Sequence, residues 1–268
     1  MKCQHYQWIP VEGLEPFVLD DHWVMEQKLD GVRALIHVTD GNVRWEKGDG
    51  ELLTFAAAAQ HFARWDAVLK NLPTCVIDAE LLLTGELVMF DLPYLRGLIE
   101  PTNPLFERRA ALETLGRHTG LTVVVQAKST REKLRLWNRV EQLGLEGVVL
   151  KRLDASYHVG RRTKDVLKVK RTHTVDAMVI RPNEGTQSVA LGLWTADGEL
   201  VEVGNCTTIG KGTFLGGEVV EVEFGHVANS ENPSLYSPRI IRVREDKKAK
   251  ACMVDQLTPA YVNREVLA

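Results

Sequence analysis

The chain has 268 residues, 44% of them hydrophobic and 26% charged, and a formal net charge of −3. This is an ordinary globular composition, with room for one large domain or two small ones. No run approaches the roughly 18 apolar residues of a membrane span. The N-terminus MKCQHYQWIPVEG lacks the apolar core of a secretory signal, and Cys3, Cys75, Cys206 and Cys252 form no C-x-x-C pair, so neither a disulfide framework nor a zinc site is expected and a reducing cytoplasm is the expected compartment.

In chain order, a strand ending in Glu26-Gln27-Lys28 comes first, followed by the turn signal Asp30-Gly31. Residues 32–47 hold two β-rich runs around Asp40-Gly41-Asn42 and predict a hairpin. Residues 54–70 predict a helix capped by Thr54, with Phe55, Ala58, Ala59, Phe62 and Leu69 at helical spacing. A second hairpin is predicted over 75–92, turning at Thr84-Gly85, then helices near 104–117 and 129–143 and short strands at 146–151 and 165–170. After residues 171–176 the helical patterns stop. The runs AMVIRP, SVALGLWT, ELVEVGN, EVVEVEF and RIIRVR then read as five short strands separated by Gly, Asn and Pro turns, which suits a small barrel of oligonucleotide-binding type. The reading is therefore an α+β first domain, 1–172, with mainly antiparallel sheets and flanking helices, and a β-barrel second domain, 173–268.

Charge is unevenly distributed. RRTKDVLKVKR (161–171) has six Lys/Arg against one Asp, and RIIRVREDKKAK (239–250) is also strongly basic. Such segments are either solvated faces or a phosphate-binding groove. On the strands, Asp78 and Glu80 stand two apart and so do Lys168 and Lys170, which puts each pair on one face. Two strand-borne lysines in a partly buried setting need an anionic partner. A phosphate supplies one, and Glu80 and Glu146 could hold a divalent metal or a ribose hydroxyl. Taken singly, KLDG is an ordinary surface turn, DAE an edge decoration and LKVK an exposed strand face.

Together and in this order, the motifs resemble the ATP-dependent DNA ligases, within the covalent nucleotidyltransferases that also include RNA ligases and mRNA capping enzymes. KLDGVR (28–33) matches the nucleotidyl-lysine motif. DAEL (78–81) resembles the third motif, with Ala79 where glycine is usual. FDLPYL (90–95) looks like the segment that supplies an aromatic against the purine, EGVVLK (146–151) and LKVKR (167–171) match the next two motifs, and RVREDK (242–247) carries the C-terminal R-x-D-K pattern.

The resemblance implies an adenylation domain followed by an OB-fold, and an AMP-forming enzyme that seals nicks in duplex DNA. Lys28 would attack the α-phosphate of ATP to form a lysyl-AMP. Asp30 and Arg33 would hold the ribose and phosphate side, Phe90 would stack on adenine, and Glu26 would help read it. Glu80 would contact the ribose or a Mg²⁺ (or Mn²⁺) ion, and of the two Glu146 is the more natural ligand for that ion. Lys168 and Lys170 would grip the α-phosphate, and Arg244 and Lys247 would meet the β- and γ-phosphates. The family's arginine after the first hairpin has no clear counterpart in RWEKGDGE, where Lys47 or Arg44 could stand in. With 27 residues before Lys28 and no four-cysteine module, ATP is expected over NAD, and the expected form is a minimal two-domain monomer acting on nicked double-stranded DNA. FDLPYL favours a DNA ligase over an RNA ligase or a capping-type enzyme. A non-catalytic nucleic-acid-binding protein on the same scaffold is the alternative of another class.

Overall fold

In the computed structural model, residues 1–48, 50–53, 59–228 and 232–257 are described, with residues 59–61 described by backbone alone. In chain order the elements are β1 (His5–Trp8), α1 (Glu15–Leu19), β2 (Trp23–Lys28), β3 (Gly31–Thr39), β4 (Asn42–Glu46), α2 (Ala59–Leu69), β5 (Cys75–Leu82), β6 (Leu87–Leu95), α3 (Leu105–Thr119), β7 (Thr122–Val123), β8 (Gln126–Ala127), α4 (Thr130–Leu143), β9 (Gly147–Arg152) and β10 (Arg162–Lys170). There follow β11 (His173–Pro182), β12 (Ser188–Trp194), β13 (Leu200–Thr207), β14 (Val219–Phe224) and β15 (Arg239–Val243). The chain divides into two compact units, Met1–Val140 with Gly147–Lys170, and Glu141–Glu146 with Arg171–Ala268.

The first unit holds two five-stranded sheets, ordered β1-β10-β9-β2-β8 and β4-β3-β5-β6-β7. Only β1–β10 and β6–β7 pair in parallel; the other ladders of these sheets are antiparallel. Alternation along the strands explains the layering. On β5, Cys75, Ile77, Ala79 and Leu81 join Ala34, Ile36 and Val38 of β3 in a core that also takes Leu69 of α2 and Leu112 and Leu115 of α3. The intervening positions of β5 turn the other way, so Val76, Asp78 and Glu80 face away from these helices. The β3–β4 turn has Asp40 and Gly41 at φ 48° and 83°, the positive values that a two-residue hairpin of type I′ needs.

The helix expected over 54–70 is α2; its expected cap Thr54 and the side chains of Phe55, Ala58 and Ala59 lie outside the described residues. Elements absent from the sequence reading are β1, α1, β7 and β8. They are two to five residues long, too short for a periodicity to register, and β1 owes its order to pairing with a strand more than 150 positions away.

In the second unit one antiparallel sheet runs β13-β12-β11-β14-β15 around a core of Val175, Val179, Leu191, Val203, Phe214, Val222 and Phe224. Among the described residues no ladder joins β13 to β15, although Leu235 N donates to Val203 O at 2.8 Å beside them.

Candidate active site in the first unit

The face of the first sheet collects the charged residues by register. Lys28 on β2 pairs with Gly147 on β9, which pairs with Lys170 on β10. The next row is Glu26 on β2, Val149 on β9, Lys168 on β10 and Trp8 on β1. Residues in register share a face, and residues two apart on a strand share it too. Both rows therefore stand on one side of the sheet. Gly147 is required between the two lysines. Its φ is +150°, and a Cβ there would lie 2.0 Å from Val169 O.

A cavity of about 290 Å³ opens on this face, lined by Glu26, Lys28, Arg33, Glu80, Phe90 and Lys168, with His5, Tyr6 and Arg162 among the remaining residues. A larger apolar groove, about 1000 Å³, has Leu72, Leu95, Ile99 and Leu115 in its lining and only Glu107 and His118 as titratable groups. It offers no set of groups for acid, base or phosphate chemistry, so the smaller, charged cavity is the candidate site.

The walls of the cavity are held by buried ion pairs. Glu26 is 2% exposed; its Oε2 lies 2.7 Å from Lys151 Nζ, and its Oε1 accepts from Gln126 Nε2 at 2.8 Å. Lys151, equally buried, also donates to Phe90 O at 2.8 Å, and its Nζ lies 5.0 Å from the centroid of the Phe90 ring. Arg33 donates from Nε and Nη2 to Asp78 at 2.9 and 2.6 Å, and from Nη1 to Gln4 O at 2.8 Å. Its guanidinium sits 4.4 Å from the Tyr6 ring centroid and 5.4 Å from that of Phe90. Tyr157 donates to the second Asp78 oxygen at 2.6 Å and accepts from Gln4 N at 3.0 Å. Below these, Arg108 forks onto Asp91 at 2.8 and 3.0 Å. Burial alone would raise the Asp91 carboxyl, but the Arg108 charge overrides it and holds it below the ordinary value. Burial pushes the Cys3 thiol beside Asp78 up to about 12, which keeps it a neutral packing group.

The structure thus brings Glu26, Lys28, Arg33, Glu80, Phe90 and Lys168 together around one cavity. Lys170 shares their face without lining it, and Asp30 is half-buried in the turn after Lys28. Two expected stand-ins lie apart: Lys47 pairs with Glu51 at 3.4 Å and Arg44 with Glu46 at 2.9 Å, and neither lines the cavity. Arg33 reaches the cavity with its nitrogens already engaged by Asp78 and Gln4. Glu146 belongs to the second unit and directly precedes β9. Arg244 and Lys247, also in the second unit, both clasp Asp176, at 2.9 and 2.6 Å. The sequence reading gave no site role to Tyr6, Asp78, Lys151 and Arg162. Lys151 could have been found, because a lysine ending the apolar strand EGVVLK needs an acidic partner. Tyr6 carried no local signal. Among the described residues no group of three or more His, Cys, Asp or Glu is placed to hold a metal, and no helix is long and apolar enough to cross a membrane.

The first unit is thus a mixed α+β frame with a lysine at the end of β2, acids beside it and two lysines on β10, one strand beyond β9. Residues 48–170 match the family model described as ATP dependent DNA ligase domain. The match begins downstream of Lys28 and includes Glu80, Phe90, Glu146, Lys168 and Lys170. The DNA ligase of Thermococcus onnurineus is 28% identical over 67% of this chain and 39% of its own length. That of Methanopyrus kandleri is 32% identical over 60% and 36%. The chain thus spans well under half the length of these curated relatives. A solved mycobacterial DNA ligase D, complexed with ATP and MES, shares the fold at a TM-score of 0.57 with 22% identity, covering 94% of this chain and 98% of that one.

Proposed function

We propose that the protein is an ATP-dependent DNA ligase that seals nicks in duplex DNA through a lysyl-AMP intermediate. The observation that carries this reading is the pair of registered rows, Lys28–Gly147–Lys170 and Glu26–Val149–Lys168, with the cavity over them. Lys28 Nζ attacks the α-phosphorus of ATP, a P–N bond forms, the bond to the β-phosphate oxygen breaks, and pyrophosphate leaves. Lys168 and Lys170 offset charge on the α-phosphate. Phe90, whose backbone carbonyl accepts from Lys151, stacks on the adenine, and Glu26 sits at the base end of the row. The AMP then passes to a DNA 5′-phosphate, and a 3′-hydroxyl attacks that phosphorus and expels AMP.

Glu80 is the carboxylate that the cavity offers to Mg²⁺ or Mn²⁺. Such an ion keeps several waters and binds through one or two carboxylates plus substrate phosphates, so a ready-made cage of three acids is not needed. The ion would neutralise phosphate charge as pyrophosphate leaves. Glu146 as a second metal carboxylate, Asp30 on the ribose, and Arg244 and Lys247 on the β- and γ-phosphates are proposed from their motifs alone.

The second unit is proposed to be an OB-fold. Its strand order, with the first strand between the second and fourth and the third and fifth at the edges, is that of a five-stranded Greek-key barrel opened at one seam. The expected domain joint near 171–175 is retained as part of this proposal, as are a monomeric state and a cytoplasmic location.

The test is covalent labelling of the full chain by α-labelled ATP or GTP with Mg²⁺, followed by transfer to nicked DNA and nicked RNA. A label from ATP, its absence in Lys28→Ala, and sealing of nicked DNA are expected. A label from GTP would indicate a capping-type enzyme, sealing of RNA alone an RNA ligase, and no label a binding protein. Undiminished labelling of a folded Lys28→Ala would remove Lys28 as nucleophile.

A further inference from the structure

The row Glu26–Val149–Lys168–Trp8 crosses four strands in register, and its first three members line the cavity. The fourth, Trp8, lies at the sheet edge on β1 and is 45% exposed. In the same unit Trp23 and Trp45 are buried, at 9% and 7% exposure, and Trp65 and Trp137 are half-buried, so Trp8 is the most open of the described tryptophans of this unit.

Its place is well defined. Neighbouring strands are about 4.8 Å apart, so Trp8 stands one strand beyond Lys168 and roughly 15 Å from Glu26 across the row. Its strand is pinned at several points. Arg33 donates to Gln4 O, Gln4 N donates to Tyr157, His5 N donates to Arg161 O at 2.9 Å and Ile9 N donates to Lys168 O at 3.1 Å. Tyr6, two residues before Trp8, lines the cavity. The exposed Arg161, Arg162 and Lys164 on and beside β10 give this edge a positive charge, and Arg162 stands in the cavity lining opposite His5 in the ladder.

We propose that Trp8 is a stacking platform for a nucleobase of the polynucleotide substrate, placed just beyond the lysine that meets the transferred phosphate. This deepens the ligase reading and rests on it. If Glu26 marks the base end of ATP and Lys168 the phosphate end, the next position along the row is where the strand bearing the acceptor phosphate arrives. A rigid edge strand, a flat exposed ring and flanking cations are what a nucleic-acid strand needs: backbone charge neutralised by Arg and Lys, and a base face covered by an aromatic. Because every base has a π-face, the contact is insensitive to sequence, as a nick-sealing enzyme requires.

The experiment uses the full chain as Trp8→Ala, Trp8→Phe and Trp8→Leu, with binding to a nicked duplex carrying a pre-adenylated 5′-phosphate and self-adenylation by α-labelled ATP measured on each. Trp8→Ala is expected to weaken nick binding about tenfold, the scale of one lost base–aromatic stack, and its loss in nick binding to exceed its loss in self-adenylation at least fivefold. Trp8→Phe should recover most of the affinity and Trp8→Leu should not. Nick-dependent quenching of tryptophan fluorescence should be present in the wild type and reduced in Trp8→Phe. Nick affinity unchanged in Trp8→Ala, or rescue by Trp8→Leu as good as by Trp8→Phe, would overturn the platform while leaving the ligase reading intact. A wild type that neither charges with ATP nor binds the nick would overturn the ligase reading, and the platform with it.

Discussion

Lys151 Nζ lies 2.7 Å from Glu26 Oε2, and both residues are 2% exposed. This one ion pair joins the strand that carries Lys28 to the strand beside it, at the back of the cavity. Breaking a buried pair from one side costs about 3 kcal/mol or somewhat more when the other charge is left unpaired, and because Arg109 Nη1 also lies 3.7 Å from Glu26 Oε1 the low end of that range applies here. Lys151→Met is therefore expected to lower stability by that order in denaturant unfolding, with the KM for ATP also rising because Glu26 loses its placement. The double variant Lys151→Met with Glu26→Gln should recover much of the stability and none of the ATP affinity. A Lys151→Met protein as stable as the wild type would mean that the pair makes no net contribution.

Gly147 is expected to tolerate no side chain. Its φ is +150° and a Cβ at this position would stand 2.0 Å from Val169 O, so Gly147→Ala must strain the backbone of β9 and push β10 outward. The expected loss is on the order of 3 kcal/mol, read as a fall in Tm. Because Gly147 separates Lys28 from Lys170 in the ladder, self-adenylation should fall further than the unfolded fraction accounts for.

Arg244 and Lys247 share the two oxygens of Asp176, and hydrogen bonding from Arg244 holds the Asp246 carboxyl down at about 2. If these cations also serve the β- and γ-phosphates, Arg244→Ala with Lys247→Ala should slow self-adenylation by about tenfold or more while changing the sealing of a pre-adenylated nick far less. Asp176→Asn, which keeps both cations, should lower thermal stability and preserve self-adenylation. Normal charging by the double variant would reduce the pair to a clasp on Asp176.

His173 gives the second unit a pH dependence. Burial first, then the neighbouring Arg171 and His226 charges, bring its pKa down from 6.5 to about 4. Between those values the unfolded chain binds a proton that the native one does not, so stability rises with pH across that window and is lost as pH falls from about 6.5 toward 4. The slope contributed by this single group is at most about 1.4 kcal/mol per pH unit. His173→Gln should flatten the unfolding free energy over that range, and an unchanged slope would assign the dependence to other groups.

Much of the site was legible because strand alternation is local. A spacing of two put Lys168 with Lys170 and Asp78 with Glu80 on common faces, and DG marked the turn after the Lys28 strand. The order of the motifs was enough to select the nucleotidyltransferase class. The register between strands was not legible. It depends on which residues pair across gaps of more than a hundred positions, as Lys28 with Gly147 and Trp8 with Lys168 do. Tertiary structure alone therefore decided that Arg33 is held by Asp78, that Glu26 is closed off by Lys151 and Gln126, that Lys47 and Arg44 are engaged away from the cavity lining, and that a four-residue edge strand ends in an exposed tryptophan beside Lys168. The physical reason is the same in each case: a side chain's type and its neighbours along the chain set what it can do, whereas desolvation and pairing between distant strands set what it is left to do.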